Sequence, residues 1–296
     1  MSETQEVWTV GRLLGWTTDF LRNRGADSPR LDAEVLLAHA LGCRRIELYT
    51  TFDSEPPAAA RDAFRQLVRE RSSGKPVAYL VGRREFYSLP FSVTPDVLIP
   101  RPETELLLIR LLDLARPLMA SAGTVRIADV GTGSGILAIC AARSLQQSQV
   151  TAIDISPAAL DVARANAAEH HVSERVELVS GDLLAAVPAG SEFDFVVANL
   201  PYVKASEFEE LAADVRQFEP KLALVAGERG TELIERLIPQ AAERLAPGGW
   251  LLLEIGPAID DDVRRLVAAE PAFELSSTSK DLAGLARVVQ ARKLAK

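Results

Sequence analysis

From residue 101 onward the chain alternates short apolar runs with segments of helical periodicity, and this rhythm constrains the fold more than any other feature. The runs are VRIADV (125–130), VTAID (150–154), VELVSGD (176–182), FDFVVAN (193–199), WLLLEI (250–255) and RVVQA (287–291). Between them, ILAICAARSL and PAALDVARANAAEH repeat apolar residues at helical spacing. Strands that alternate with helices predict an α/β fold with a doubly wound, mainly parallel sheet, here over residues 99–296. No internal repeat or low-complexity tract interrupts it.

The chain ahead of this region reads differently. Residues 1–80 predict a small helical bundle. Val7, Leu14 and Leu21 fall at helical spacing, with Leu13, Trp16 and Phe20 widening the apolar face. Ser28 is placed to cap a second helix, with Pro29 in its first turn and Gly42 closing it. A third helix opens at Pro56-Pro57 and runs through Ala63, Phe64, Leu67 and Val68. No set of polar side chains here suits catalysis, so the bundle is expected to recognise a partner. Residues 76–98 mix Phe86, Leu89, Phe91 and Val93 with Ser, Pro and Gly and suggest a hairpin or extended segment, with a β-hairpin linker at 81–98.

Composition narrows the function. Hydrophobic residues make up 48% and charged residues 25% of the 296 positions, the balance of a soluble globular protein. No apolar run approaches the ~18–20 residues that span a bilayer. The start, MSETQEVWTVGRLLGW, lacks a basic stretch followed by an apolar core, so a cytoplasmic protein is expected. Cys43 and Cys140 sit in apolar helical contexts and predict no disulfide framework. His39, His170 and His171 show no ligand-like spacing, so no metal is expected. The formal net charge of −8 disfavours a protein that grips nucleic acid through phosphates and favours a protein or small-molecule substrate. Nothing demands more than a monomer.

The first strand runs into Asp129-Val130-Gly131-Thr132-Gly133-Ser134-Gly135 and then a helix. In such sheets ligands bind beyond the carboxyl ends of the strands. Glycine lets the backbone approach a ligand closely, and the helix N-terminus suits a carboxylate. A tight strand-to-helix turn needs no ligand at all, so the loop alone decides little. A dinucleotide fingerprint needs glycine where Ile136 stands, and a Walker-type phosphate loop needs a Gly-Lys-Ser/Thr that is absent. The next two strand ends decide more. Asp154 ends the second strand, about 20 residues beyond the loop, where a carboxylate can accept hydrogen bonds from both hydroxyls of a ribose. Asp182 ends the third and is placed to face an adenine amino group, with Leu183 beside the base. One strand-end Asp is more often a turn residue; three in succession with the glycines resemble the S-adenosylmethionine site of the class I methyltransferase fold.

The fourth strand delivers Asn199-Leu200-Pro201-Tyr202. An apolar strand that ends in Asn-x-Pro-aromatic resembles the Asn-Pro-Pro-Tyr motif of methyltransferases acting on planar NH2 nitrogens. An amide nitrogen is a poor nucleophile because its lone pair is delocalised into the carbonyl. The Asn199 side-chain oxygen and the Leu200 backbone carbonyl can each accept one N–H and fix that nitrogen. Such bonds strengthen as positive charge develops on nitrogen. Tyr202 can pack against the flat acceptor, and Pro201 stiffens the turn.

Over nearly its whole length the chain resembles the protein-(glutamine-N5) methyltransferases that modify class I peptide chain release factors. The matching stretches include Ser28 to Glu34, Pro76 to Gly82, Glu85-Phe86-Tyr87, Val97 to Glu105, Glu219 to Leu224, Leu253 to Gly256 and Lys280 to Gly284. The resemblance implies S-adenosyl-L-methionine as cofactor, bound by Asp129, Gly131, Thr132, Gly133, Ser134, Gly135, Asp154, Asp182, Leu183 and Asn199. It implies the glutamine of a release-factor Gly-Gly-Gln motif as acceptor, held by Asn199, Leu200, Pro201 and Tyr202. It also implies that the stretch from Val97 to Glu105 borders the cofactor cleft, whereas by residue chemistry Arg101, Glu103 and Glu105 read as a solvated helix start. Two residues depart from the family pattern: Leu200 replaces a proline, and Ser88 replaces a glycine. Because Asn-Leu-Pro-Tyr also resembles the form found in ribosomal RNA adenine dimethyltransferases, an RNA adenine amino group is the alternative acceptor. A non-catalytic cofactor-binding protein is a third reading, opposed by the intact Asn199.

Overall fold

The computed structural model describes residues 7–295. The first six residues, part of the stretch read as free of a leader, lie outside them. Contacts divide the chain into two units: residues up to Gly82 together with Ala213–Phe218, and the remainder.

The first unit is helical: α1 (Val10–Arg22), α2 (Pro29–Leu41), the short α3 (Glu47–Thr50), α4 (Ala58–Ser72) and α5 (Val77–Val81). Its core gathers Val10, Leu14, Leu36, Leu37, Leu48, Phe64 and Val68. Three expectations need correction here. Thr9 caps α1 by accepting the Arg12 N–H at 3.3 Å, so Val7, read as part of the helix's apolar face, falls outside the helix and is exposed. Ser28 makes no side-chain cap bond, because its backbone (φ −128°, ψ 60°) is not in the extended conformation that aims a capping hydroxyl at the first turn. Residues 77–81 form a helix rather than extended chain, since Pro76 opens it and Gly82 closes it in the left-handed region at φ 70°.

The second unit begins with the hairpin β1 (Arg83–Phe86) and β2 (Leu89–Ser92), then continues through α6 (Thr104–Ala122), β3 (Val125–Val130), α7 (Ile136–Ser144), β4 (Ser148–Asp154), α8 (Pro157–Glu169), β5 (Val176–Ser180) and β6 (Phe193–Ala198). After the small strand β7 (Val203–Lys204) comes α9 (Ala213–Phe218), which clusters with the first unit. The chain ends with β8 (Val225–Gly227), α10 (Glu232–Arg244), β9 (Leu245–Glu254), α11 (Asp260–Ala269), β10 (Phe273–Leu275), β11 (Ser279–Lys280) and β12 (Ala286–Lys293).

The main sheet has the order β10-β12-β9-β6-β3-β4-β5, with β11 added beside β12. β9, β6, β3, β4 and β5 run parallel, whereas β12 is antiparallel to β9. The connections reverse direction between β3 and β6, which puts the topological switch point there. Each central strand is buried on both faces and splits its side chains by parity. Ile127, Phe195, Val197 and Leu252 enter one core with α6 and α7. Ala128, Val130, Val196, Ala198, Leu251 and Leu253 enter the other with α10 and α11. Odd positions of β3 and β6 and even positions of β9 therefore share the α6 face, the parity of Asp129, Asn199 and Glu254.

The β1–β2 turn holds Tyr87 at φ 49° and Ser88 at φ 59°, the left-handed pair of a two-residue hairpin loop. Ser88 is exposed, so nothing but backbone strain distinguishes it from glycine there. Ser88→Gly is expected to stabilise the protein by about 0.5–1 kcal/mol, with strain relief outweighing added unfolded-state entropy. Urea unfolding of the two proteins checks this; an unchanged or lowered midpoint contradicts it.

Candidate active site

The turn after β3 is built by backbone bonds. Gly131 and Thr132 N–H both donate to the Ile153 carbonyl, at 2.8 and 3.0 Å. Gly131 has φ +76°, and a Cβ there would lie 3.1 Å from Leu200 Cδ2. Gly135 has φ +84° and starts α7, where a Cβ would lie 2.9 Å from Ile139 Cδ1. Both positions favour glycine because their φ lies in the left-handed region, and each is also closely approached by a side chain.

Asp154 closes the loop from the neighbouring strand. Its Oδ2 accepts the Gly133 N–H at 2.8 Å, and its Oδ1 accepts the Ser156 N–H at 2.9 Å. Each oxygen keeps a second lone pair for a ligand hydroxyl. Asp129 is 1% exposed. Its Oδ2 accepts from Thr132 Oγ1 at 2.7 Å and Ala138 N–H at 3.1 Å, while Oδ1 is buried without a partner among the described residues. Burial pushes this carboxyl up to about 6, the Asp154 charge adds to the rise, and the two hydrogen bonds oppose it. Asp182 follows β5, where Arg236 of α10 pairs with its carboxylate. Leu183 is buried and held at φ 53°, an unusual conformation for leucine.

A cavity of about 520 Å³ lies over the carboxyl ends of these strands, within the range of small-molecule sites. Gly131, Thr132, Gly133, Ser134, Asp154, Asp182, Leu183, Asn199, Leu200 and Pro201 line it. Asp129 and Gly135 lie behind the loop, and the Tyr202 ring packs beside Gly256, where a Cβ would sit 3.1 Å from it. At the end of β6, Asn199 Nδ2 donates to Thr104 Oγ1 at 3.1 Å. An amide tied by its nitrogen leaves Oδ1 as the free acceptor.

Side chains outside the predicted set hold this arrangement. Arg101 lines the cavity and pairs with Glu219 at 2.5 Å, and the other Glu219 oxygen accepts the Ile99 N–H at 3.1 Å. Glu105 accepts the Tyr87 N–H at 2.9 Å. These contacts correct the reading of Arg101 and Glu105 as a solvated helix start: a charge run before an apolar helix gives no sign of distant partners. Fully buried Asn166 ties the hairpin to the glycine loop, donating to Ser92 O at 3.0 Å and Ser134 O at 2.8 Å. Glu254, at the end of β9, is 3% exposed, and its Oε2 is buried without a partner among the described residues. A lone acid at the end of an apolar strand was the available signal for it, the same one that singles out Asp154.

The family model described as the PrmC N-terminal domain matches residues 12–82, and that of ribosomal protein L11 methyltransferase (PrmA) matches residues 103–225. The release factor glutamine methyltransferase of Rhodopirellula baltica is 47% identical, with 99% of this chain and 100% of that protein covered. The chain belongs to the release factor glutamine methyltransferase family. The Chlorobaculum tepidum member is 44% identical over 90% of this chain and 91% of its own length. In fold, the chain resembles the hMettl16 catalytic domain, at TM-score 0.56 and 15% identity, covering 78% of this chain and 82% of that one. The Thermus thermophilus 16S rRNA N2 G1207 methyltransferase gives TM-score 0.52 and 19% identity, covering 71% and 49%. These are class I methyltransferase folds.

S-adenosyl-L-methionine is the cofactor of this family, and the residues present fit it. Asp154 offers two acceptors for ribose hydroxyls. The unpartnered Asp129 Oδ1, buried behind the loop, would be the acceptor for an α-ammonium group. A cationic ligand favours ionised Asp129, so affinity is complete above the raised carboxyl value and lost as pH falls through it. Cofactor affinity measured by calorimetry is expected to drop below a pH of about 6, by up to about tenfold per pH unit. Asp129→Asn is expected to bind more weakly and to remove the dependence. Wild-type affinity that stays constant from about pH 5 to 8 contradicts this assignment.

Proposed function

We propose that this protein methylates the side-chain amide nitrogen (N5) of the glutamine in the Gly-Gly-Gln motif of class I peptide chain release factors. The observation that carries the reading is Asn199, tied by its nitrogen to Thr104 with Oδ1 left as acceptor, in the same cavity as the glycine loop. The shared name of the relatives supports the substrate. The cofactor, when bound, supplies an electrophilic methyl group on a sulfonium.

The protein's own part is to make an amide nitrogen reactive. Asn199 Oδ1 and the Leu200 carbonyl accept its two N–H groups, turn its lone pair towards the cofactor side and weaken its conjugation. As the nitrogen becomes positive, both acceptors bind it more strongly. The extra proton is then acidic enough to leave to water. Leucine at 200 retains the carbonyl this requires, and its buried side chain fills space beside Gly131. Pro201 stiffens the turn, and Tyr202 backs the acceptor side. In this reading the protein acts in the cytoplasm as a monomer without a nucleic-acid ligand, in keeping with its net charge of −8. Among the described residues, no helix is long and apolar enough to cross a membrane.

Asn199→Ala is expected to lower turnover by ~10²–10³ while sparing cofactor affinity by comparison. The assay supplies labelled methyl donor to a purified release factor and to structured ribosomal RNA in parallel, then locates the label by mass spectrometry. Label on adenine alone overturns the reading.

The helical unit is assigned to partner recognition. Trp16 is 52% exposed and stacks on Phe20 with ring centroids 5.0 Å apart, presenting a rigid aromatic surface. Trp16→Ala is expected to raise KM for whole release factor about tenfold or more, at unchanged cofactor affinity. Unaltered KM removes Trp16 from the recognition surface.

A further inference from the structure

The last residue of β9 breaks an apolar strand. Trp250 to Leu253 are apolar, then Glu254 sits 3% exposed with Oε2 lacking a partner among the described residues. Burying a carboxylate with an unfilled acceptor is costly, and an apolar residue would serve the sheet better. Glu254 lies outside the cavity wall and the cofactor cradle does not use it. Its neighbours show what it serves. β6 and β9 pair in parallel with Ala198 opposite Leu253, so the next residue on each strand, Asn199 and Glu254, stand side by side. Thr104 and Asn199 both favour the ionised form of the Glu254 carboxylate, and Asn199 Nδ2 donates to Thr104 Oγ1 at 3.1 Å.

We infer that Glu254 is a positioning residue for methyl transfer: its ionised carboxylate, acting with Thr104, fixes the Asn199 amide with Oδ1 towards the acceptor nitrogen and makes that oxygen a stronger acceptor. An ionised carboxylate only accepts, so donors must face it. The Asn199 NH2 group is therefore drawn to the Glu254 side, and the flipped amide, which would offer N–H groups to the substrate nitrogen, is excluded. An anion beside the Asn199 NH2 group and the Thr104 hydroxyl it donates to also shifts electron density onto Oδ1, because linked polar groups polarise one another. This inference rests on the proposed role of Asn199 in holding the substrate amide.

The arrangement carries a pH dependence. Burial raises the Glu254 carboxyl to about 7, and the neighbouring Glu103 adds to the rise. Bonds from Thr104 and Asn199 and the charge of Arg287 on β12, itself paired with Asp281, oppose it. Tyr202 faces the same carboxylate, with burial and the Glu254 charge keeping its phenol neutral. Protonated Glu254 can donate, so it no longer dictates which way the amide points.

The test is kcat against pH, at saturating cofactor and release factor, for wild type, Glu254→Gln, Thr104→Val, Thr104→Ser and Asn199→Ala. Wild-type kcat is expected to fall on the acid side of neutrality. Glu254→Gln is expected to lose about ten- to a hundredfold in kcat, to lack the acid limb, and to keep cofactor KM within about threefold. Thr104→Val should fall similarly and Thr104→Ser, which keeps the hydroxyl, should lose less. Glu254→Gln retaining more than about half of wild-type kcat overturns the inference, as does a loss matched by an equal loss of cofactor affinity. A flat wild-type profile overturns it without any variant. Asn199→Ala separates the two ideas. If it turns over normally, the acceptor reading fails; if it is inactive while Glu254→Gln is normal, only the role of Glu254 fails.

Discussion

The site depends on the parallel register of three strands. Val130 lies opposite Ala198, and Ala198 opposite Leu253. Because parallel strands end at the same level, the glycine loop, the acceptor turn and the Glu254 carboxylate emerge together at the switch point. Because side chains alternate in direction, Asp129, Asn199 and Glu254 share one face. A slip of one residue between β6 and β9 would send Glu254 to the opposite core and leave Asn199 without its neighbour.

How much of the fold is legible in the sequence depends on the range of the physics involved. Strand β3 matches its apolar run residue for residue, β4 and β12 contain theirs, and β6 stops one residue short of its run, because burial on both faces leaves a continuous apolar signal. Strand β9 starts five residues before its run, at Leu245, since the Gly248-Gly249 pair hides the pairing from any apolar pattern. The small strands β7, β8, β10 and β11 carry two or three residues each, too few for a period to show. Helix caps are less legible, because Ser28 has the right residue type but not the backbone angles that make a cap.

Within the site, residues that the backbone places at a strand end are the readable ones. Gly131, Asp154 and Asn199 lie where local chain geometry brings them to the cavity. Side chains whose partners are distant in sequence are not: Glu219 reaches Arg101 across more than a hundred positions, and Asn166 joins Ser92 to Ser134. Asp182 lies between the two cases. Its strand-end place is visible in the sequence, but its pairing with Arg236 of α10 arises only when that helix packs on the sheet.

Arg101, Thr104 and Glu105 lie within five positions, yet they reach Glu219, Asn199 and the hairpin turn respectively. A helix turns about 100° per residue, so adding or removing one position at this point would swing these side chains away from all three partners together. The start of α6 thus acts as a shared datum for cleft wall, acceptor site and hairpin. Changes of length there cannot be compensated one contact at a time, so this stretch must vary in residue type at fixed length, while the outlying turns remain free to grow.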